Sequence, residues 1–188
     1  MFGHFKRPKR INVIGTSGSG KSTFAKRLAT ALNYPYVELD RIYWEPNWTA
    51  ATDTKFFSDL AAQISCEEWI LDGNYSRTTE IKWEKADMVI WLDFSFPRTL
   101  AQAVFRAIRR SASQQELWPG TGNRESFRKS FLSRKSIIWW TITTHFKVRK
   151  KYLTYMQSGK YPHIRFIRLR SHSEATRLIT QLTDSLCD

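Results

Sequence analysis

Residues 10–22, RINVIGTSGSGKS, constrain what this chain can fold into more than any other stretch. Arg10–Ile14 is an apolar run that reads as a β-strand. It enters a loop in which Gly15, Thr16, Ser17, Gly18, Ser19, Gly20, Lys21 and Ser22 fill every position of G-x-x-x-x-G-K-[ST]. Lys21–Leu32 then places Phe24, Leu28, Ala31 and Leu32 at helical spacing. In such a strand–loop–helix unit the glycines let backbone N–H groups turn inward around an anion, and the helix directs its positive end at the same point. Lys21 can reach the β- and γ-phosphates of a nucleoside triphosphate as a point charge, and the Ser22 hydroxyl can ligate Mg²⁺. Thr23 completes the donor-side set, with helix packing as its other reading.

The rest of the sequence must supply a sheet and its covering helices. At 188 residues, 41% hydrophobic and 14% aromatic, the chain suffices for one domain with a substantial core. Two cysteines, Cys66 and Cys187, exclude a disulfide framework and a four-cysteine zinc site. The first ten residues, MFGHFKRPKR, lack the apolar stretch of a secretory signal. The longest apolar runs, MVIWL and IIWW, fall short of the roughly 18 residues a membrane span requires. A soluble, cytoplasmic protein is the expectation.

Short apolar runs alternate with helical stretches, the pattern of an α/β fold with a parallel sheet. After the first strand come Tyr36–Leu39, Trp69–Leu71, Met88–Leu92 and Ile164–Leu169. Helices are expected over Thr52–Ile64, with Thr52 or Asp53 as N-cap, over Pro97–Arg110, over Arg124–Met156 after a break at WPGTGN, and over Glu174–Leu186 after a Ser173 cap. The whole chain, 1–188, reads as a single domain, with 41–67 as an acceptor-site segment and 98–160 as a helical lobe over the active face.

Charge is distributed unevenly. The net charge is +13, yet residues 1–97 hold 12 Lys+Arg and 12 Asp+Glu while residues 98–170 hold 17 and 2. A positive field confined to the lobe draws polyanions to one face, unless it is only a solvated helical surface. Arg106, Arg109, Arg110, Arg124 and Arg128 can neutralise charge on a transferring phosphoryl group, two or three of them mattering. The same lobe, with Lys147, Arg149, Lys150 and Lys151 and the rings of Trp139, Trp140, Tyr152 and Tyr155, can instead track nucleic acid, or lie on an anionic membrane surface. Against both, Ile138, Ile142, Phe146 and Leu153 form a helical stripe able to pack on the sheet.

Three aspartates end apolar runs and are expected at the carboxyl edge of the sheet: Asp40, Asp72 and Asp93. Asp72, followed by Gly73, is the first choice for the metal; Asp93 is as readily a turn or capping residue.

Taken together, IGTSGSGKSTFAKRLA, LDRIYWEPNW, WILDGNYSRT and RFIRLRSHSE resemble the P-loop nucleotide kinases, and among them the bacterial adenylate kinase-like, or DNA topology modulation, proteins. The likeness spans about 1–110 and 160–188. It implies a three-layer P-loop kinase fold with a five-stranded parallel sheet in order 2-3-1-4-5, ATP as donor with Mg²⁺, and a lid between strands 4 and 5. Leu71, Asp72 and Gly73 match the start of the adenylate-kinase Leu-Asp-Gly-Phe-Pro-Arg pattern, and Arg77 falls one position past its acceptor-phosphate arginine. Arg106, Arg109 and Arg110 are similar in placement to the arginines that grip donor phosphates, and His172 to an adenine-contacting turn. The segment that shapes the AMP site of adenylate kinases is absent, and LDRIYWEPNW stands in its place.

The expected activity is transfer of phosphate from Mg-ATP to a small acceptor, a nucleoside monophosphate or similar molecule. The alternative is a nucleotide-switched ATPase that binds nucleic acid through the basic lobe. A hydroxyl acceptor would call for a base, and Asp40 is available. Arg41 can hold an anionic group; Tyr43, Trp44 and Trp48 offer stacking faces or cap the core; Asn74 and Tyr75 can line the pocket. Neither the acceptor nor the oligomeric state follows from the sequence.

Overall fold

The computed structural model describes residues 7–113, 115–124 and 137–184. Along the chain run β1 (Arg10–Gly15), α1 (Lys21–Leu32), β2 (Tyr36–Glu38), α2 (Leu39–Tyr43), β3 (Trp44–Glu45), β4 (Thr49–Ala50), α3 (Asp53–Gln63), β5 (Trp69–Asp72), α4 (Thr79–Lys85), β6 (Met88–Leu92), α5 (Phe96–Ser113), α6 (Ile137–Gln157), β7 (Arg165–Leu169) and α7 (His172–Asp184). Five strands form one parallel sheet in the order β2-β5-β1-β6-β7. Counting only these five along the chain, the order is 2-3-1-4-5. Arg128 and the helical expectation over residues 125–136 lie outside the described residues, as do Cys187 and the end of the last expected helix.

Strands covered on both faces need apolar residues at every position, and β5 and β6 are buried throughout. Successive side chains point to opposite faces. Ile11, Val13, Ile70, Ile90 and Leu92 meet Phe24 and Leu28 of α1 and Ala175, Leu178 and Leu182 of α7. Ile14, Leu71, Val89 and Trp91 meet Phe56 and Leu60 of α3, Trp83 of α4 and Tyr152 of α6. The result is three layers.

Several boundaries differ from the sequence reading for local reasons. Thr52 is the N-cap of α3, its Oγ1 accepting from Lys55 N at 3.3 Å. Ser171, rather than Ser173, accepts from Glu174 N at 3.2 Å and starts α7. Strand β2 stops at Glu38, and Leu39 opens a short helix, so Asp40 projects from α2. Helix α4 went unforeseen because only Trp83 and the unexpected Lys82 mark its buried face besides Thr79.

The stripe Ile138–Ile142–Phe146–Leu153 is packed only in part: Leu153 joins the core beside Val148, Tyr155 and Met156 of α6. Ile142 and Phe146 are exposed, whereas Thr141, His145 and Tyr152 are buried. The helix meets the glycine loop at Thr141, which donates to Ser17 O, and farther along packs Tyr152 and Leu153 on the apolar sheet face. Among the described residues no helix is long and apolar enough to cross a membrane.

One backbone contact near the glycine loop gives a testable outcome. Gly18 has φ +84°, and a Cβ there would come within 2.7 Å of Thr99 O and 2.8 Å of Ala103 Cβ on α5. Gly18→Ala should therefore cost about 1–2 kcal/mol for the left-handed conformation alone, with the clash added. The melting temperature should fall by at least several degrees. An unchanged melting curve would contradict this packing.

Candidate active site

β1 and β5 deliver their carboxyl ends to one edge of the sheet, where strand order reverses and parallel sheets place ligands. The loop after β1 is braced from three sides. Gly15 N donates to Asn74 Oδ1 at 3.0 Å, and Asn74 Nδ2 donates back to Gly15 O. From α5, Arg106 Nη2 donates to Ser17 Oγ at 3.0 Å. From α6, Thr141 Oγ1 donates to Ser17 O at 3.2 Å. Asn74, expected in the acceptor pocket, thus commits both ends of its amide to the first glycine of the loop.

Beside the loop lies a cavity of about 570 Å³, large enough for a drug-sized ligand. Lys21, Ser22 and Thr23 line it together with Arg106, Arg109 and Arg110, and so do Gln102, Phe105 and His172. Thr23 is exposed and so contributes to this lining rather than to helix packing. The His172 ring meets Phe94 edge-on at 4.7 Å and lies 3.0 Å from Gln102 Nε2. All three arginines expected to grip a donor therefore surround one space.

Asp72 ends β5 and is 3% exposed. Burial pushes its carboxyl above the usual range, opposed first by Lys21 and then by Ser22, although no hydrogen bond of ordinary geometry joins Ser22 to it. Tyr36 OH donates to Oδ2 at 3.1 Å, while Oδ1 is buried without a hydrogen-bond partner among the described residues. A buried carboxylate oxygen left unmatched is costly. The hard oxygens of Asp72 and Ser22, next to a phosphate-binding loop, fit a divalent cation such as Mg²⁺.

Asp93 has a different fate. Arg168 Nε donates to its Oδ2 at 2.8 Å, Arg168 Nη2 donates to the same oxygen, and Arg149 Nε lies 3.5 Å away. This buried carboxylate ties β6 to β7 and α6 through ion pairs, rather than serving the turn or capping role read for it from the sequence.

Behind Asp72 stands a residue that sequence reasoning missed. Lys82 of α4 is 1% exposed, and its Nζ donates to Gly73 O at 3.2 Å. Burial lowers its pKa to about 7, helped by Lys151 and opposed by Asp72. No sequence signal marks it, since lysines are ordinarily solvated.

On the far side of Asp72, α2 and the β3–β4 hairpin form an aromatic wall. Tyr75 OH donates to Asp40 Oδ1 at 2.8 Å. Tyr43, Trp44, Trp48 and Trp118 follow one another edge-on at 4.9, 5.6 and 5.8 Å between ring centroids. Trp118 arrives from the glycine-rich break: its Nε1 donates to Glu38 Oε1 at 3.2 Å, and Asn123 accepts from Trp48 N at 2.8 Å while donating to Glu45 O at 2.9 Å. The sequence showed only a break at 118–123; a tryptophan in a glycine loop was the available hint that the break docks. Glu38 and Trp118 join the expected set, whereas Arg41 is exposed and Arg77 pairs with Asp53 beneath the Tyr43 ring, its guanidinium carbon 5.5 Å from the centroid.

Trp118→Ala should release this loop. Truncating a tryptophan this buried costs of order 3 kcal/mol, and the Trp48 amide, now bonded to Asn123, should exchange with solvent faster. Unaltered exchange at Trp48 would show that the loop docks without the indole.

Two lysines of the basic lobe are engaged by neighbouring elements. Lys151 Nζ donates to Ser76 Oγ at 2.6 Å, and Lys160 pairs with Glu80 at 3.2 Å. The Tyr152 and Tyr155 rings lie 6.5 and 5.0 Å from Trp83. Of the residues read as a polyanion-tracking surface, Lys147, Lys150, Trp139 and Trp140 are exposed. Arg124, also exposed, joins Glu116 in an isolated antiparallel bridge.

Residues 10–141 match the sequence family described as an AAA domain. A gluconokinase from Sinorhizobium meliloti 1021 superposes with a TM-score of 0.50 over 97% of this chain and 97% of its own, at 16% sequence identity, a likeness of fold. No curated protein matches the sequence.

Proposed function

The chain belongs to the AAA domain family and has a P-loop kinase fold, and from that footing we propose that it transfers the γ-phosphoryl group of Mg-ATP to a small acceptor held against the aromatic wall. The observation that carries the reading is the meeting of Lys21, Ser22 and the unmatched Oδ1 of Asp72 at the carboxyl edge of the sheet. Lys21 and the loop amides bind and orient the β- and γ-phosphates. Ser22 and Asp72 hold the cation. Arg106, already on the loop at Ser17, and Arg109 and Arg110 beside it provide positive charge around the donor cavity.

Catalysis in such a site is positioning plus charge stabilisation. Magnesium, when bound, supplies neutralisation of the phosphate oxygens. The arginines place charge where it develops on the transferring group, and mobile arginines of this kind are worth orders of magnitude in rate. Asp40, oriented by Tyr75, and the rings of Trp44, Trp48 and Trp118 form the acceptor side.

Calorimetry with Mg-ATP, followed by transfer of labelled phosphate to candidate acceptors, tests the reading. Saturable heat with Mg-ATP and a labelled small product are expected. Folded protein that gives no heat with Mg-ATP would end it.

A further inference from the structure

We propose that the phosphoryl acceptor is an uncharged molecule bearing a hydroxyl group, and that the Asp40 carboxylate takes the proton of that hydroxyl. This inference rests on the phosphotransferase reading above and names the substrate class of that same site.

Charge on the acceptor side carries the argument. Glu38 and Asp72 are register partners at the carboxyl ends of β2 and β5, and Asp40 follows two residues after Glu38 on α2. Tyr36 OH donates to Asp72 and Tyr75 OH donates to Asp40, so the three acids gather beside the Asp72–Asn74 turn that holds Gly15 at the head of the loop.

The cations that a phosphate acceptor would need are engaged elsewhere or turned outward. Arg77 is paired with Asp53 on the surface, and Arg41 is exposed. Lys82 is buried behind the Asp72–Asn74 turn, with its Nζ on Gly73 O. Among the described residues, a dianionic phosphate placed here would face the carboxylates of Glu38, Asp40 and Asp72, with Arg77 held by Asp53 and Arg41 exposed. An alcohol suits the same surroundings, because it can donate its proton to a carboxylate and needs no countercharge. Tyr75 fixes Asp40 for that purpose, and the half-buried rings of Trp44 and Trp48 offer flat faces to the body of a sugar or a nucleoside.

The step balances. The acceptor O–H gives its proton to Asp40, its oxygen forms a bond to the γ-phosphorus, and the bond from that phosphorus to the β,γ-bridging oxygen breaks with its electron pair leaving on ADP. Asp40 then releases the proton to solvent. The products are a phosphate monoester and ADP.

The test uses the full chain, Mg and γ-labelled ATP with matched pairs of probes: adenosine and AMP, thymidine and TMP, glucose and glucose 6-phosphate, glucose and gluconate. At least one uncharged alcohol should become labelled, with kcat/KM at least a hundredfold above that of its phosphorylated or carboxylated partner. The nucleoside and sugar arms identify which body the rings accept. Asp40→Asn should lower kcat a hundredfold or more and leave Mg-ATP affinity unchanged by calorimetry. Labelling of AMP, TMP, glucose 6-phosphate or gluconate in preference to the uncharged member overturns the inference, and so does intact Mg-ATP binding with no uncharged alcohol labelled. Loss of Mg-ATP binding in the wild-type protein would instead remove the phosphotransferase reading and this inference with it.

Discussion

Lys21→Met should abolish measurable phosphoryl transfer and weaken Mg-ATP binding, with turnover down by at least two to three orders of magnitude. Loss of one preorganised donor at a developing charge costs that much by itself. Here a second effect adds to it. Asp72 is buried, and Lys21 is the strongest influence keeping its carboxyl from rising further. Removing the ammonium lets the Asp72 carboxyl rise further, so its protonation weakens the proposed cation site just as the phosphate site loses charge. The variant's residual affinity for Mg²⁺ with nucleotide should therefore improve with rising pH more steeply than in the wild type, over the pH range in which both proteins stay folded. Lys21 begins α1 at the surface and is only half-buried, so circular dichroism should report a folded chain. Calorimetry across that pH range checks the claim; wild-type affinity in the variant would show that the loop binds phosphate without its lysine.

The second large effect concerns Lys82, and it is read in stability. Its pKa falls from 10.5 in a solvated chain to about 7 in the fold, chiefly through burial. Between those values the unfolded chain carries the proton and the native one does not. Native stability from this group is therefore complete above about 10.5 and declines as pH falls toward 7, by up to about 1.4 kcal/mol per unit. Below 7 both states are protonated and the slope vanishes. Lys82→Met keeps the length of the side chain and removes the charge, so the variant should lose this slope. Against wild type it should be more stable at pH 6 than at pH 9, when melting temperatures are compared at the two values. A difference between the two proteins that is the same at both pH values would place Lys82 in solvent.

The same variant bears on the site. Lys82 Nζ holds Gly73 O, and the neighbouring Asn74 amide holds Gly15 at the head of the phosphate loop. The order of Asp72, Gly73 and Asn74 is thus supported from behind by a buried amine. A polar group in that position is stabilised only while its hydrogen bond persists.

How far these features were legible in the sequence differs by residue. Gly15–Ser22 and its flanking strand and helix could be read directly, because phosphate binding there depends on backbone conformation and on neighbours within a few positions. The five strands were likewise expected, since each is a short apolar run, whereas their order came from the resemblance to the nucleotide kinases. Asp72 was the first choice among three strand-end aspartates because Gly73 follows it, and Arg106 came from the resemblance to the nucleotide kinases and from the charge of the lobe. Lys82, Glu38 and Trp118 were not visible as site residues, and the packed face of α6 was read only in part from its apolar stripe. In each case the side chain's type argues one way and its surroundings another: a lysine is drawn into the core, a tryptophan in a glycine loop docks on a hairpin, and a helix that packs Leu153 on the core also buries Thr141 and His145.

What the sequence by itself determined is the local unit: an anion-binding loop between a strand and a helix, and enough alternating apolar segments to build a sheet around it. Only the tertiary structure decided which carboxylates gather near that loop, which arginines line the cavity beside it, and which are spent on pairs such as Arg77 with Asp53 or Arg168 with Asp93. The reason is physical. Backbone conformation is set by neighbours along the chain, whereas burial and charge depend on groups dozens of residues away that share the same few ångströms of space.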